Sequence, residues 1–207
     1  MSFQHPVFAR LALAATLLAL AVAASAKPVR YEIDPSHTFP SFEADHMGVS
    51  VWRGKFNSSQ GEISLDRSAG TGTVEVTIDT ASVDYGLDVM NDKAREADLL
   101  DAGKFPKAVY KGRLADFRHG APTRVKGELT LRGVTRPLDL TIDRFKCIPH
   151  PLHKRELCGA DALGTFRRDE FGIDAGKDYG FDMNVTLRIQ VEAVQEAQAQ
   201  AGKPQAP

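Results

Sequence analysis

Hydrophobic and polar residues alternate with a period of two along much of the chain. Within Thr73–Asp79, Val74, Val76 and Ile78 face one way while Glu75, Thr77 and Asp79 face the other. Met183, Val185, Leu187, Ile189 and Val191 repeat the pattern, as do Val125, Leu129 and Leu131, and then Leu138, Leu140 and Ile142. A strand turns successive side chains to opposite faces, so these segments predict strands with one dry and one wet side, as in antiparallel sheets. Turn-forming residues separate them at Asn57–Gly61, Ser68–Gly70 and Gly133–Pro137. Many short strands with little helix between them point to a sandwich or a barrel. One segment differs. Between Gly86 and Pro106, Leu87, Met90, Ala94, Ala97 and Leu100 recur at helical spacing. Asp88 or Asn91 is placed to cap the start, Gly103 to end the helix and Pro106 to prevent its continuation. This predicts one amphipathic helix packed against the sheet.

The N-terminus changes the picture of where the protein works. Arg10 precedes an uninterrupted apolar run from Leu11 to Ala24, and Ala24-Ser25-Ala26 supplies small residues. A cation, a short apolar run and an A-x-A ending describe a secretory signal peptide, expected to be cleaved after Ala26. The run is shorter than the roughly 20 residues of a membrane span. The expected organisation is a signal peptide over 1–26, one domain over 27–194 and a disordered tail over 195–207. A bacterial periplasm is the expected compartment. The 26 basic and 27 acidic residues give a formal charge of −1. They are interspersed, with no basic block to neutralise phosphates, so nucleic acid is not an expected partner.

Candidate chemistry is sparse. The chain has no Gly-x-Ser-x-Gly elbow, no His-Glu-x-x-His, no phosphate loop and no dinucleotide fingerprint, and no catalytic residue is assigned. His37 and His46 are nine positions apart, an odd number that a regular strand turns to opposite faces, although a bulge near Pro40 would change the parity. His46 shares a side with Phe42 and Ala44 and reads as part of a wall. No metal is assigned to these histidines, because zinc or copper sites usually need three or four converging ligands. Cys147, His150, His153 and Cys158 lie within one short segment, with two readings. They form a zinc or copper site, or the only two cysteines form a disulfide, which an oxidising compartment favours. Ala160, Ala162, Gly164 and Phe166 also share a face. Their small size means either unfilled volume or close approach of the helix.

The order of motifs resembles the YceI family. Ser36–Gly48 and Val51–Asp66 are similar to its opening strands, followed by Val76–Asp84, Leu99–Gly112, Gly127–Leu140 and Arg168–Ile173. The Gly-x-Leu-Thr-x-x-Gly-Val-Thr-x-Pro stretch is the most specific part, and the likeness spans about Tyr31–Val194. The chain departs from the family at Pro40, Lys93, Ala94, Leu99 and Glu170. The resemblance implies an all-β fold: an extended, lipocalin-like barrel of eight antiparallel strands with one helix against it. It also implies an apolar tunnel for an isoprenoid lipid, a polyprenyl phosphate or a quinone tail, with no other cofactor. The expected tunnel wall combines Phe42, Ala44, His46 and Phe56 with Val74, Val76 and Ile78. Leu99, Tyr110, Leu129, Leu131 and Leu140 continue it, and Ala160, Ala162, Phe166, Val185, Leu187 and Ile189 complete it. Arg53, Lys55 and Arg168 are the candidates to meet a headgroup at the mouth. The function implied is binding or transport without turnover, with transient membrane contact and either a monomer or a dimer. Two rivals are a metal-binding or stress-response protein using the Cys147–Cys158 segment, and an enzyme acting on lipid at the mouth.

Overall fold

The computed structural model describes residues 27–197. The expected signal peptide over 1–26, and the tail from 198 onward, lie outside the described residues. The segments in chain order are β1 (Val29–Ile33), β2 (Phe39–His46), β3 (Ser50–Phe56), β4 (Ser59–Asp66), β5 (Thr71–Asp79), β6 (Val83–Asp84), the helix α1 (Asp88–Arg95), β7 (Lys107–Ala115), β8 (Arg124–Leu131), β9 (Val134–Pro137), β10 (Leu140–Pro149), β11 (Glu156–Arg167) and β12 (Asn184–Gln195). All the pairings are antiparallel, and β1 pairs with β12 to close the sheet. Four pairs of segments (β1 with β2, β3 with β4, β5 with β6, β9 with β10) each run on as one interrupted strand. The result is a closed up-and-down barrel of eight antiparallel strands, the lipocalin-like all-β architecture expected.

The interruptions decide which residues face inward. Tyr31 and Ile33 of β1 are buried, but across Asp34–Thr38 the inward parity changes to Pro40, Phe42, Ala44 and His46. Asn57–Ser58 makes the same switch between Trp52 and Phe56 of β3 and Ile63 and Leu65 of β4. On β10 a bulge between Ile142 and Arg144 brings Phe145 inward. An extra residue in one strand is the ordinary way to re-aim side chains.

Five expectations need correction. Asn57–Gly61 is a kink inside one barrel strand, not a hairpin turn. Gly61 lies within β4, where an added Cβ would collide with the Glu75 carbonyl oxygen of the neighbouring strand. Gly133–Pro137 is a turn only at its start, because Val134–Pro137 pairs with β8. The helix is shorter than its apolar pattern, ending at Arg95, and turns linked by hydrogen bonds carry the chain to Phe105. Neither proposed residue caps it: Leu87 is the N-cap with no side-chain bond, and Asn91 instead accepts from the Tyr85 amide at 2.7 Å. Finally, β12 runs through Gln195, one residue into the expected tail. There Gln195 pairs with Tyr31, and the Glu196 amide donates to the Arg30 carbonyl at 2.9 Å.

Candidate functional site

The barrel holds two adjoining chambers. The wide one has a volume of about 470 Å³ and the narrow one about 120 Å³. They meet at Pro40, Ile78, Tyr110, Leu140 and Ile189, which line both. A barrel of eight strands can be filled by its side chains or left open for one small ligand. Here the difference comes from residue size. Ala160 and Ala162 face the narrow chamber and leave it unfilled. Gly164, on the same face, has a different cause: an added Cβ would lie 2.5 Å from Leu140 Cδ2, so the glycine makes room for a neighbour across the sheet rather than for the helix.

Each expected wall residue lies on one of the chambers. Val74, Val76, Ala160 and Ala162 border the narrow one. Phe42, Ala44, His46 and Phe56, with Leu99, Leu129 and Leu131, border the wide one, as do Phe166, Val185 and Leu187. Tyr110 sits at the junction, where its buried hydroxyl donates to the Leu138 carbonyl at 3.0 Å. Burial pushes its phenol pKa upward, with the Asp139 charge adding to the shift. At the far end of the narrow chamber, Tyr31 and Leu65 are each 2% exposed, and the Tyr31 hydroxyl donates to the Glu156 carboxylate. That end is packed.

The wide chamber opens at the other end. An aromatic collar surrounds the opening: His46 stacks on Trp52 at 4.5 Å and meets Phe181 edge-on at 5.3 Å, while Trp52 lies 6.1 Å from Tyr85. His46 is therefore a member of the wall. His37 lies in the turn before β2, on the outside, where its Nδ1 is 2.8 Å from Asp34 Oδ2 and that bond raises its pKa. Trp52, Tyr85 and Phe181 were not among the sequence candidates. Trp52 shares parity with Phe56 and was legible; Tyr85 and Phe181 stand outside regular strands and carried no pattern.

The headgroup candidates separate. Arg53 and Lys55 stand at odd positions on β3, where Trp52 and Phe56 take the inward side. Both therefore point outward and are corrected as mouth residues: Arg53 pairs with Glu43 at 3.0 Å, and Lys55 lies over the Phe39 ring at 4.4 Å. Arg168 alone borders the wide chamber. It is 8% exposed and donates to the carbonyls of Ile173 at 3.2 Å and Ala175 at 2.8 Å. It takes part in no ion pair among the described residues, and burial lowers its pKa. A guanidinium has five N–H donors, so two carbonyls leave others unspent. Tyr85 borders the same chamber; burial pushes its phenol up to about 12, against the opposing pull of the Arg168 charge. Behind Arg168, Asp169 is held to about 2 by hydrogen bonds from Lys177 at 2.9 Å and Arg167 at 2.7 Å.

At the packed end, Cys147 and Cys158 form a disulfide between directly opposed positions of β10 and β11. The bond removes both thiolates from any metal set. His150 Nδ1 is occupied by the amides of Leu152 and His153, at 3.0 and 3.1 Å.

Comparison with known proteins agrees with this geometry. The YceI-like domain family matches residues 31–193. A UPF0312 protein of Shewanella sp. (strain W3-18-1) is 31% identical over 195 residues, covering 89% of this chain and 96% of the relative. A UPF0312 protein of Vibrio cholerae is 30% identical over 192 residues, covering 87% and 98%. Among solved structures, Burkholderia cenocepacia BcnA aligns with a TM-score of 0.63 at 21% identity, covering 77% of this chain and 98% of that one. A polyisoprenoid-binding domain from Saccharophagus degradans, implicated in plant cell wall breakdown, aligns with a TM-score of 0.58 at 17% identity, covering 81% and 99%. Barrel topology, motif order and sequence similarity over nearly all of the described residues agree: the chain belongs to the YceI-like family.

Proposed function

We propose that this protein is a non-catalytic carrier that sequesters an isoprenoid lipid, either a polyprenyl phosphate or a quinone, in its barrel. The two-chambered apolar cavity carries this reading. A tail running from the wide chamber through the Tyr110 junction exchanges water for hydrocarbon along its length, at about 0.8 kcal/mol per buried methylene. The description of the Saccharophagus degradans domain as polyisoprenoid-binding supports the same ligand class here. Nothing in this role requires a bond to break. The Cys147–Cys158 disulfide supports an oxidising compartment, consistent with export to the periplasm through the N-terminal segment. Because Arg53 and Lys55 face outward, the headgroup falls to Arg168 and Tyr85, which meet it inside the mouth rather than on the rim.

The test is titration of delipidated protein with a polyprenyl phosphate and with the corresponding alcohol. Saturable binding of about one lipid per chain is expected. Arg168→Gln should reduce the preference for phosphate over alcohol by roughly 10- to 100-fold, the worth of a charge-assisted hydrogen bond, and leave alcohol binding in place. Absence of saturable binding for every prenyl lipid tried removes the carrier reading. An unchanged preference in the variant removes the role of Arg168.

A further inference from the structure

Among the described residues, six of the eight exposed large hydrophobic side chains surround one end of the barrel. Met47, Val49 and Val51 belong to the β2–β3 hairpin, Leu87 and Val89 to the start of α1, and Tyr179 to the turn before Phe181. Val49 is 80% exposed and Val89 66%. These segments are brought together by the collar beneath them: His46 and Trp52 lie at the base of the hairpin, Tyr85 just before α1 and Phe181 just after Tyr179. The Asp182 amide also donates to Asp45 Oδ2 at 3.1 Å, tying the third segment to the first. The remaining two, Ile148 and Leu152, lie at the opposite end, in and beside the β10–β11 turn.

We infer that this rim docks the wide mouth onto a lipid surface, so that the tail passes between bilayer and cavity without crossing water. The inference rests on the carrier reading above. The side chains stand on three separate segments around an opening, as scattered tips rather than one continuous face for a helix or strand. A bilayer has no fixed shape and accepts separate apolar tips, with tyrosine and tryptophan suited to its interface. Charge narrows the lipid class. Lys93 is committed to Glu96 and Asp98, Arg95 to Asp92, Lys177 to Asp169, and Arg53 to Glu43, while Asp88 and Asp178 are exposed nearby. Among the described residues no cluster of unpaired cations marks the rim, so docking is apolar in origin and suits zwitterionic lipid.

The experiment is flotation of the delipidated full chain with phosphatidylcholine vesicles, at low and high salt. Wild-type protein should float with little salt dependence. Val49→Asp combined with Val89→Asp should cut the bound fraction by at least ~10-fold, consistent with losing two apolar insertions. Leu152→Asp, at the far end and 81% exposed, should change nothing. Tyr179→Asp provides a second variant if the double substitution lowers the melting temperature. The inference falls if the wild type does not float, or if Leu152→Asp loses as much as the rim variants. It also falls if the rim variants convert a dimer to a monomer with flotation unchanged, which assigns the rim to a second copy. Uptake of polyprenyl phosphate from detergent, measured in parallel, separates the two claims: uptake without flotation leaves the carrier standing and removes the rim, and flotation without uptake removes the carrier.

Discussion

Ala160→Leu tests whether a tail reaches past the Tyr110 junction. Ala160 lies on β11 between Phe145 and Val191 and faces the narrow chamber of about 120 Å³. The substitution adds three carbons to a space with room for only the end of a chain. A tail excluded from that space loses the burial of about three methylenes, near 2.4 kcal/mol or roughly 60-fold in affinity. The effect should depend on ligand length. A polyprenyl phosphate of about eight units should weaken by that factor, whereas farnesyl phosphate, ending in the wide chamber, should bind as before. Calorimetric or fluorescence titration of both ligands against both proteins gives the comparison. Because the leucine fills existing space, the melting temperature of the ligand-free variant should not fall, which excludes overpacking as the cause. Equal weakening of both ligands, or of neither, refutes the threaded arrangement.

Further outcomes follow from other parts of the molecule. Replacing Cys147 and Cys158 by serine should lower unfolding free energy by about 2–3 kcal/mol, as expected for a short closed loop, read by chemical denaturation. The Asp169 carboxylate sits at about 2, below its ordinary value of 3.8, so its tether to Arg167 and Lys177 is complete above about pH 4 and lost as pH falls toward 2. After correction for the intrinsic exchange rate, amide protection around 167–179 should fall across that window, and Asp169→Asn should be weakly protected at neutral pH and flat through the window. Trp52, the only tryptophan, stands in the mouth collar, so lipid uptake should shift its emission to shorter wavelength and protect it from acrylamide. An emission unchanged by saturating lipid places the ligand elsewhere.

Much of the architecture was legible because alternation holds wherever a strand is regular. Val74, Val76 and Ile78 on β5, and Val185 to Ile189 on β12, read directly as cavity wall. Legibility failed where the backbone breaks step. The switches at Asp34–Thr38, at Asn57–Ser58 and at the β10 bulge come from pairing with neighbouring strands, information that no local pattern holds. Gly61 resembled a turn residue because the sequence does not reveal that β5 presses against it. Arg53 and Lys55 looked suited to a headgroup by charge alone, although the parity that places Trp52 and Phe56 inside already turned them out. Arg168 lies beyond the end of β11, so its access to the chamber depends on a short 3₁₀ turn that follows no alternation.

The seam of the barrel has a consequence for its biogenesis. β12 bonds to β11 along one side and to both β1 and β2 along the other, so the barrel's C-terminal strand lies against its N-terminal one. During synthesis no pouch exists until Asn184–Gln195 emerges, and a chain ending short of this strand is an open sheet with a greasy face. Capacity for cargo therefore arrives all at once, with the final dozen residues of the fold, and a truncated product cannot act as a smaller or leakier version of the whole.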